Sequence, residues 1–413
     1  MAEIQPLRAI HYDLAKAGPL GDLAAPPYDV IDAAQRARLA ARSPYNVVDI
    51  DLPEGDDPYA HAAALFARWQ AEGVLVRDPQ PALWVLEQRF HDGPTGTRTG
   101  FFARVRVVDY GRGRIRPHER THPGPLEDRL RLTRATRANL SAIFSLYSDA
   151  TGAARAALAP ATQTPPWGEF TDDEGTRNRL WRAGDPAAIE AVVGALADAE
   201  LLIADGHHRY ETARAYAAEV GGQGEHDFVL MCLVALEDPG LAVLPTHRLV
   251  GGLDAARRAA LDAAIERDLE AVPVSREEVA PPPGSGPLEL GYLDARRSLR
   301  LRLRDQAIAE RALADWPAPY RRLDTGVLET LLLKGALELS DDDIAHMHGL
   351  GYARDLDAAI AAIESGEFDA AFILRPTPVE LVREIAAAGV NMPPKSTYFF
   401  PKLPTGLLFN PLA

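Results

Sequence analysis

The feature that most constrains the fold lies near the middle of the chain. Leu201-Leu202-Ile203-Ala204 is a short apolar run of strand type, Asp205-Gly206 forms a turn, and His207 to Ala217 carries a helical pattern. A strand fed through a tight turn into a helix start commits this region to an α/β arrangement. The same turn carries chemistry. Unpaired amides at a helix start attract anions, Gly206 permits close backbone approach, and the Arg209 guanidinium can hold phosphate oxygens in a forked geometry. Asp205 adds a carboxylate able to carry Mg²⁺, and His207 and His208 can donate hydrogen bonds to transferring phosphoryl oxygens. The plainer alternative is a capped helix with packed histidines. Asp-Gly-His-His-Arg taken together at one strand-to-helix turn favours function over that alternative.

At 413 residues the chain has room for two or three domains and a large core. Hydrophobic residues at 47% and charged residues at 25% are average for folded, water-soluble proteins, so wholesale disorder is not expected. The 44 Lys and Arg against 59 Asp and Glu give a formal charge of -15, which opposes adhesion to polyphosphate or anionic lipid. Neither nucleic acid nor a membrane is therefore expected as a partner. The single cysteine, Cys232, lies in the apolar run Phe228 to Ala235, cannot form an intrachain disulfide, and reads as a small buried hydrophobe. With no basic-then-apolar segment at Met1 to Pro6, the expected location is cytoplasmic.

Along the chain, Asp32 to Arg42 reads as a helix, Asn46 to Leu52 as a strand and Pro58 to Glu72 as a helix with a core stripe of Tyr59, Ala62, Ala63, Phe66 and Trp69. Ala82 to Phe90 and Gly100 to Asp109 read as paired strands, Leu126 to Leu140 as an arginine-rich helix, Ser141 to Tyr147 as a strand and Pro186 to Ala199 as a helix. The proline-rich stretch within Val272 to Leu290 reads as a linker or exposed loop. Ser298 to Arg304 alternates like a strand with one wet face. Helices follow around Asp324 to Ser340 and Asp355 to Ser365, then a strand at Ala370 to Leu374 and a helix at Val379 to Ala388. No internal repeat is visible. The expected division is an α/β core over residues 1–250 and an α+β carboxy-terminal region over 251–413 whose tail returns to the site.

Two motifs mislead. His118-Glu119-x-x-His122 has zinc-protease spacing, but that motif works only on a continuous helix, and Pro123 and Pro125 are expected to stop one at once. Gly389 to Ser396 matches a P-loop except that a proline, which has no amide to give a phosphate, replaces the second glycine. In that tail Lys395, Ser396, Thr397 and Lys402 still gather positive charge and hydroxyls suited to a phosphate, with an ordered segment packed on the core as the equal alternative. His61, His91, His226, His346 and His348 read as surface or packing residues, whereas His247 is a candidate lining residue.

Pro26-Pro27-Tyr28-Asp29-Val30-Ile31, Pro117-His118-Glu119, Glu127-Asp128-Arg129-Leu130, Ala138-Asn139-Leu140-Ser141, Ala204 to Ala213, Leu244 to Arg248 and Met392 to Leu403 together resemble the uncharacterised DUF1015 family over nearly the full chain. More distantly, Gly206 to Ala213 resembles the nucleotide-binding turn of the ParB and sulfiredoxin-like superfamily, whose free-serine kinases pair an Asp-Gly-His-His-Arg turn with an upstream Pro-His-Glu segment. That resemblance implies a ParB/sulfiredoxin-like core with large insertions. It also implies Glu119 as base toward a substrate hydroxyl, Asp205 as assisting metal or hydroxyl positioning, and His207, His208 and Arg209 as ligands of the phosphates of ATP or ADP, with Mg²⁺; Gly206 joins the cofactor-binding residues and His208 the catalytic ones. His207 stands where sulfiredoxin has its reactive cysteine, so sulfinic acid repair is excluded. The expected activity is phosphorylation of a small hydroxyl compound, with free L-serine the first acceptor to try. Two alternatives stay open. One is a metal-dependent hydrolase or phosphatase using His118, His122, His207, His208 and Asp205 as ligands with Glu119 activating water; the other is a non-catalytic nucleotide-binding switch module.

Overall fold

The computed structural model describes residues 3–91, 96–119 and 123–413. Residues 1–117, 121–242 and 401–413 form one compact unit, and residues 118–120 and 243–400 form a second. The division thus falls after Ala242, not after Val250, and the last residues of the chain belong to the first unit.

Among the described residues the first unit is built on a nine-stranded sheet. Its strands in chain order are β1 (Ile4–Gln5), β2 (Leu83–Phe90), β3 (Gly96–Arg106), β4 (Ile115–Arg116), β5 (Ile143–Tyr147), β6 (Gly168–Thr171), β7 (Arg177–Ala183), β8 (Leu201–Asp205) and β9 (Phe228–Ala235). Their order in space is β4-β8-β5-β9-β3-β2-β7-β6, with β1 pairing β3. Most neighbours are antiparallel, but β5 and β9 run parallel with Cys232 opposite Phe144. A strand central to such a sheet is covered on both faces, which is why the 228–235 run is apolar throughout and why Cys232 is buried. The main core lies against one face of the sheet. There Val85, Phe101, Tyr147, Ile203 and Leu233 meet Leu158, Val192, Leu196, Tyr210 and Ala213. The helices named below are α1 (Pro58–Ala71), α2 (Pro123–Thr136), α3 (Ala153–Leu158), α4 (Pro186–Ala195) and α5 (His207–Val220).

Several local expectations change. Asn46 to Leu52 is not a strand: Asn46 Oδ1 accepts the Val48 amide at 3.0 Å, a turn-forming bond that starts the helix Val48–Asp51. Pro123 begins α2 instead of only ending what precedes it, as suits a residue whose missing amide is not needed in a first helical turn. That helix stops at Thr136, and Ala138–Asn139 is a short strand paired with Asn410–Pro411. Residues 117–119 are not helical, while His122 lies outside the described residues, as does most of the turn between β2 and β3.

The second unit holds a six-stranded antiparallel sheet. Its strands are β10 (His247–Val250), β11 (Leu269–Pro273), β12 (Glu289–Asp294), β13 (Ser298–Leu303), β14 (Leu350–Ala353) and β15 (Ala370–Leu374), ordered β11-β13-β12-β15-β10-β14. The proline-rich stretch is a loop inside this unit, since β11 and β12 both pair with β13. On β13 alternate leucines are buried and Arg302 is exposed, the one-wet-face pattern expected. The helix Asp324–Leu328 continues as a π-helical stretch, Glu329–Lys334. Among the described residues no helix is long and apolar enough to cross a membrane.

Candidate functional site

Strand β8 ends at Asp205, and Gly206 carries the chain into α5 with φ of +94°, a conformation that favours glycine. No side chain caps α5, so its first amides lack the usual Ser, Thr, Asp or Asn acceptor. The turn is ringed by cations. Lys402 Nζ donates to Asp205 Oδ1 at 2.5 Å, and Arg209 Nη2 donates to Asp205 Oδ2 at 2.6 Å. Arg209 Nη1 also donates to the Ala142 carbonyl, which fixes the guanidinium over Gly206, where a Cβ would sit 2.9 Å from Arg209 Nε. Burial disfavours the Asp205 carboxylate, yet Lys402 and Arg209, with His207 behind them, outweigh it and hold its pKa well below the usual range. His207 is buried and His208 half-buried in the first turn of α5.

One donor is left over. Arg209 Nε is buried and has no hydrogen-bond partner among the described residues. A buried unpaired donor is costly, and one on a fixed guanidinium beside an uncapped helix start suits an anionic oxygen. Phosphate therefore fits these residues. Mg²⁺ held by Asp205 does not fit as well, because Lys402 and Arg209 already take both carboxylate oxygens.

Other sequence motifs converge around the turn within the first unit. Arg129 Nη1 donates to the Asp51 carbonyl at 2.8 Å and its carboxylate at 3.2 Å, Nε donates to Asp128 at 2.7 Å, and the guanidinium lies 4.2 Å from the Tyr28 ring centre. Burial raises the pKa of Asp51, while Arg129 and Arg209 pull it the other way. Arg129, Ser141, Arg209 and Thr212 line a cavity of about 40 Å³, room for one ordered water, and the Thr212 hydroxyl is buried with no hydrogen-bond partner among the described residues. Asn139 is structural, its Oδ1 accepting the Leu230 amide at 3.1 Å and the Asn410 side-chain amide at 3.0 Å.

Glu119, Lys395, Ser396 and Thr397 lie in the second unit, and Lys402 in the first. His118 is fully buried, with Nε2 at 2.9 Å from Thr397 Oγ1 and its carbonyl accepting the Met392 amide at 2.8 Å. Glu119 stays partly exposed, 4.0 Å from His118. Ser396 is buried with its hydroxyl 2.9 Å from Thr325 Oγ1 and donating to the Pro393 carbonyl at 2.6 Å, bonds that pack the segment. Lys395 is exposed, at φ of +56°. His247 accepts the Leu374 amide at 3.1 Å, and burial lowers its pKa to about 4, the state of a neutral packed histidine. The structure thus gathers Asp205, Gly206, His207, His208 and Arg209 in the first unit, and Glu119, Lys395, Ser396 and Thr397 in the second. Among the described residues no three His, Cys, Asp or Glu side chains form a metal-binding group.

Sequence reasoning placed Lys402 in a basic tail but did not pair it with Asp205, 197 residues away. It also missed the buried Arg98, which donates to Gln88 and to the Pro401 carbonyl, while Gln88 Nε2 donates to the Lys402 carbonyl at 3.1 Å. These strand side chains hold the tail so that Lys402 reaches the turn. The only signal for Arg98 was a long cation within a strand otherwise heading into the core.

A family model described as a protein of unknown function, DUF1015, matches residues 4–326. No curated protein matches the chain. Among solved structures, a conserved hypothetical protein from Pyrococcus furiosus is 17% identical, covering 71% of this chain and 90% of its own, with a TM-score of 0.36. A free serine kinase in complex with AMP is 14% identical, over 75% of this chain and 90% of that one, with a TM-score of 0.36. SbnI with a C-terminal truncation, from Staphylococcus aureus, is 11% identical over 73% and 84%, with a TM-score of 0.37. Superpositions at this level do not establish a shared fold.

Proposed function

The chain belongs to the DUF1015 family, and we propose that it binds the phosphates of a nucleotide at the start of α5 and transfers a phosphoryl group to a small hydroxyl compound. The observation that carries this reading is the unpartnered Arg209 Nε beside the uncapped, glycine-entered helix start, with Lys402 close by on Asp205. Phosphoryl transfer asks for little covalent chemistry from a protein: it needs phosphate clamps, charge neutralisation and a base for the acceptor. Gly206 lets the backbone approach the phosphates, the first amides of α5 and Arg209 Nε donate to their oxygens, and Lys402 offsets their charge. Asp205 positions both cations through its two carboxylate oxygens. His207 and His208 supply ring donors in the first turn.

Glu119 is the assigned base, on the strength of the Pro-His-Glu and Asp-Gly-His-His-Arg resemblance. His118 positions it by anchoring the segment on Thr397. ATP or ADP is the donor, and Mg²⁺ enters with the nucleotide, with no ligand from this chain assigned to it. The acceptor to try first is free L-serine. The test incubates pure protein with labelled ATP or ADP, Mg²⁺ and a panel of small alcohols including L-serine. A phosphorylated alcohol is expected. Nucleotide turnover with no transfer to any acceptor would favour a switch module instead, and metal-dependent ester cleavage without transfer would favour a hydrolase.

A further inference from the structure

A larger cavity opens elsewhere in the first unit, on the core face of the sheet where β5 and β9 end. Its volume is about 510 Å³, within the range of small-molecule sites. The floor comes from cross-strand pairs, Val85 with Phe101 and Glu87 with Thr99 between β2 and β3, and Tyr147 with Ala235 between β5 and β9. Leu158 and Ala159, at the end of α3, supply an apolar wall.

The charge within it is unbalanced. Asp149 and Asp238 are each 9% exposed and have no ion-pair partner among the described residues. Backbone amides fix them instead. Asp149 accepts those of Ala153 at 2.8 Å and Arg155 at 3.2 Å, and Asp238 accepts those of Thr99 at 3.2 Å and Gly240 at 2.9 Å. Glu237, also on the lining, takes the Asp149 amide at 2.8 Å. Glu87 is paired with Arg179, and the one lining cation, Arg155, is exposed. Buried carboxylates are ordinarily matched by a cation, and among the described residues none forms an ion pair with Asp149 or Asp238, although Arg155 and Arg98 act on Asp238 from farther off.

A second observation is independent of the carboxylates. Tyr147 is only 3% exposed and lines the cavity, and its hydroxyl, which is not itself sealed off from that space, makes no hydrogen bond among the described residues. A polar atom so placed is open to a hydrogen bond with a ligand. Its ring meets Phe101 edge-on at 5.9 Å, so aromatic surface lies beside the negative groups. A bare metal ion suits this place poorly: the described residues contain no group of three metal-ligating side chains, and the space is large and half apolar. We infer that this cavity binds a small organic amine, its ammonium directed to Asp149 and Asp238, its carbon skeleton against Phe101 and Leu158, and the Tyr147 hydroxyl bonded to the ligand. The inference does not depend on nucleotide binding at α5.

Calorimetric titration with butylamine, putrescine and phenethylamine, each against the neutral alcohol of the same skeleton, tests it. At least one amine should bind saturably and its alcohol should not. Tyr147→Phe should melt like the wild type, since the hydroxyl has no partner to lose, but should bind the amine about tenfold more weakly. Arg155→Ala should bind it more tightly, because a like charge at the rim is removed. Arg209→Ala should bind it unchanged. The inference is overturned if no amine outcompetes its alcohol, if Tyr147→Phe binds as the wild type does, or if Arg155→Ala loses binding, which would make the cavity an anion site.

Discussion

The strand-to-helix turn at Asp205–Arg209 and the tail segment Met392–Thr397 carry similar chemical groups, a cation and polar donors near a loop, yet they use them differently. At the turn, Asp205 gathers Lys402 and Arg209, and one guanidinium nitrogen remains buried without a partner among the described residues. In the tail, the hydroxyl of Ser396 meets Thr325 and the Pro393 carbonyl, and Thr397 meets His118. The difference teaches that the proposed site is the one of the two where the fold leaves a buried donor unanswered among the described residues. Proline explains much of the contrast, since Pro393 and Pro394 contribute carbonyls and no amides, and those carbonyls draw in Ser396 and the buried Arg248.

The sharpest way to break this comparison is at Glu119, the base we propose, beside the tail's anchoring histidine. Glu119→Gln should lower transfer by about 100-fold or more while leaving ATP affinity unchanged. Parallel losses of affinity and rate would make the segment part of nucleotide binding instead.

Acid separates the two regions next. His247, in the second unit, has its pKa lowered to about 4 by burial, so the folded state resists protonation that the unfolded chain accepts. Its contribution is complete above about pH 6.5 and drains away as pH falls to about 4, a loss on the order of 3 kcal/mol. Asp205 also has a lowered pKa, so its stabilisation holds above about pH 4 and is lost only below that. Burial raises the pKa of Asp324, in the same unit as His247, to about 6, which works the other way over that range, so the His247 contribution is read as the difference between denaturant melts of the wild type and His247→Phe from pH 8 to 3. A difference that changes only below pH 4 would contradict the His247 assignment.

Gly206→Ala should reduce ATP affinity about tenfold and cost roughly 1–3 kcal/mol, through its positive φ and the crowding of Arg209. Ser396→Ala is a smaller and purely structural change, about 1 kcal/mol of stability with ATP affinity unmoved. Lys395→Ala, on the exposed side of the same segment, should alter neither by a measurable amount. A drop in ATP affinity in either tail variant would erase the distinction between the regions.

Much of this was legible in the sequence wherever the hydrophobic period changes sharply. The Leu201–Ala204 run gives way to helical spacing at His207 with only Asp-Gly between, and β8, Gly206 and α5 lie where that pattern puts them. The alternation over Ser298–Leu303 likewise marks β13. Asn46–Leu52 was ambiguous because a short run of Val, Ile and Asp suits a strand or a buried helical turn, and the Asn46 side chain settles it locally. The β6–β7 hairpin went unnoticed because Arg177 to Ala183 carries arginines whose partners, Glu169 and Glu87, lie on neighbouring strands. The same limit hid the cation cage. Lys402 meets Asp205 only because Arg98 and Gln88 hold the tail backbone, a relation between distant positions that no local pattern encodes.

The central claim, that the start of α5 receives nucleotide phosphates, is tested most directly by calorimetric titration of ATP into the wild-type protein and Arg209→Ala. The account predicts saturable binding by the wild type and affinity reduced by about tenfold or more in the variant. Absence of ATP and ADP binding by the wild type, or equal affinity in the two proteins, would contradict it.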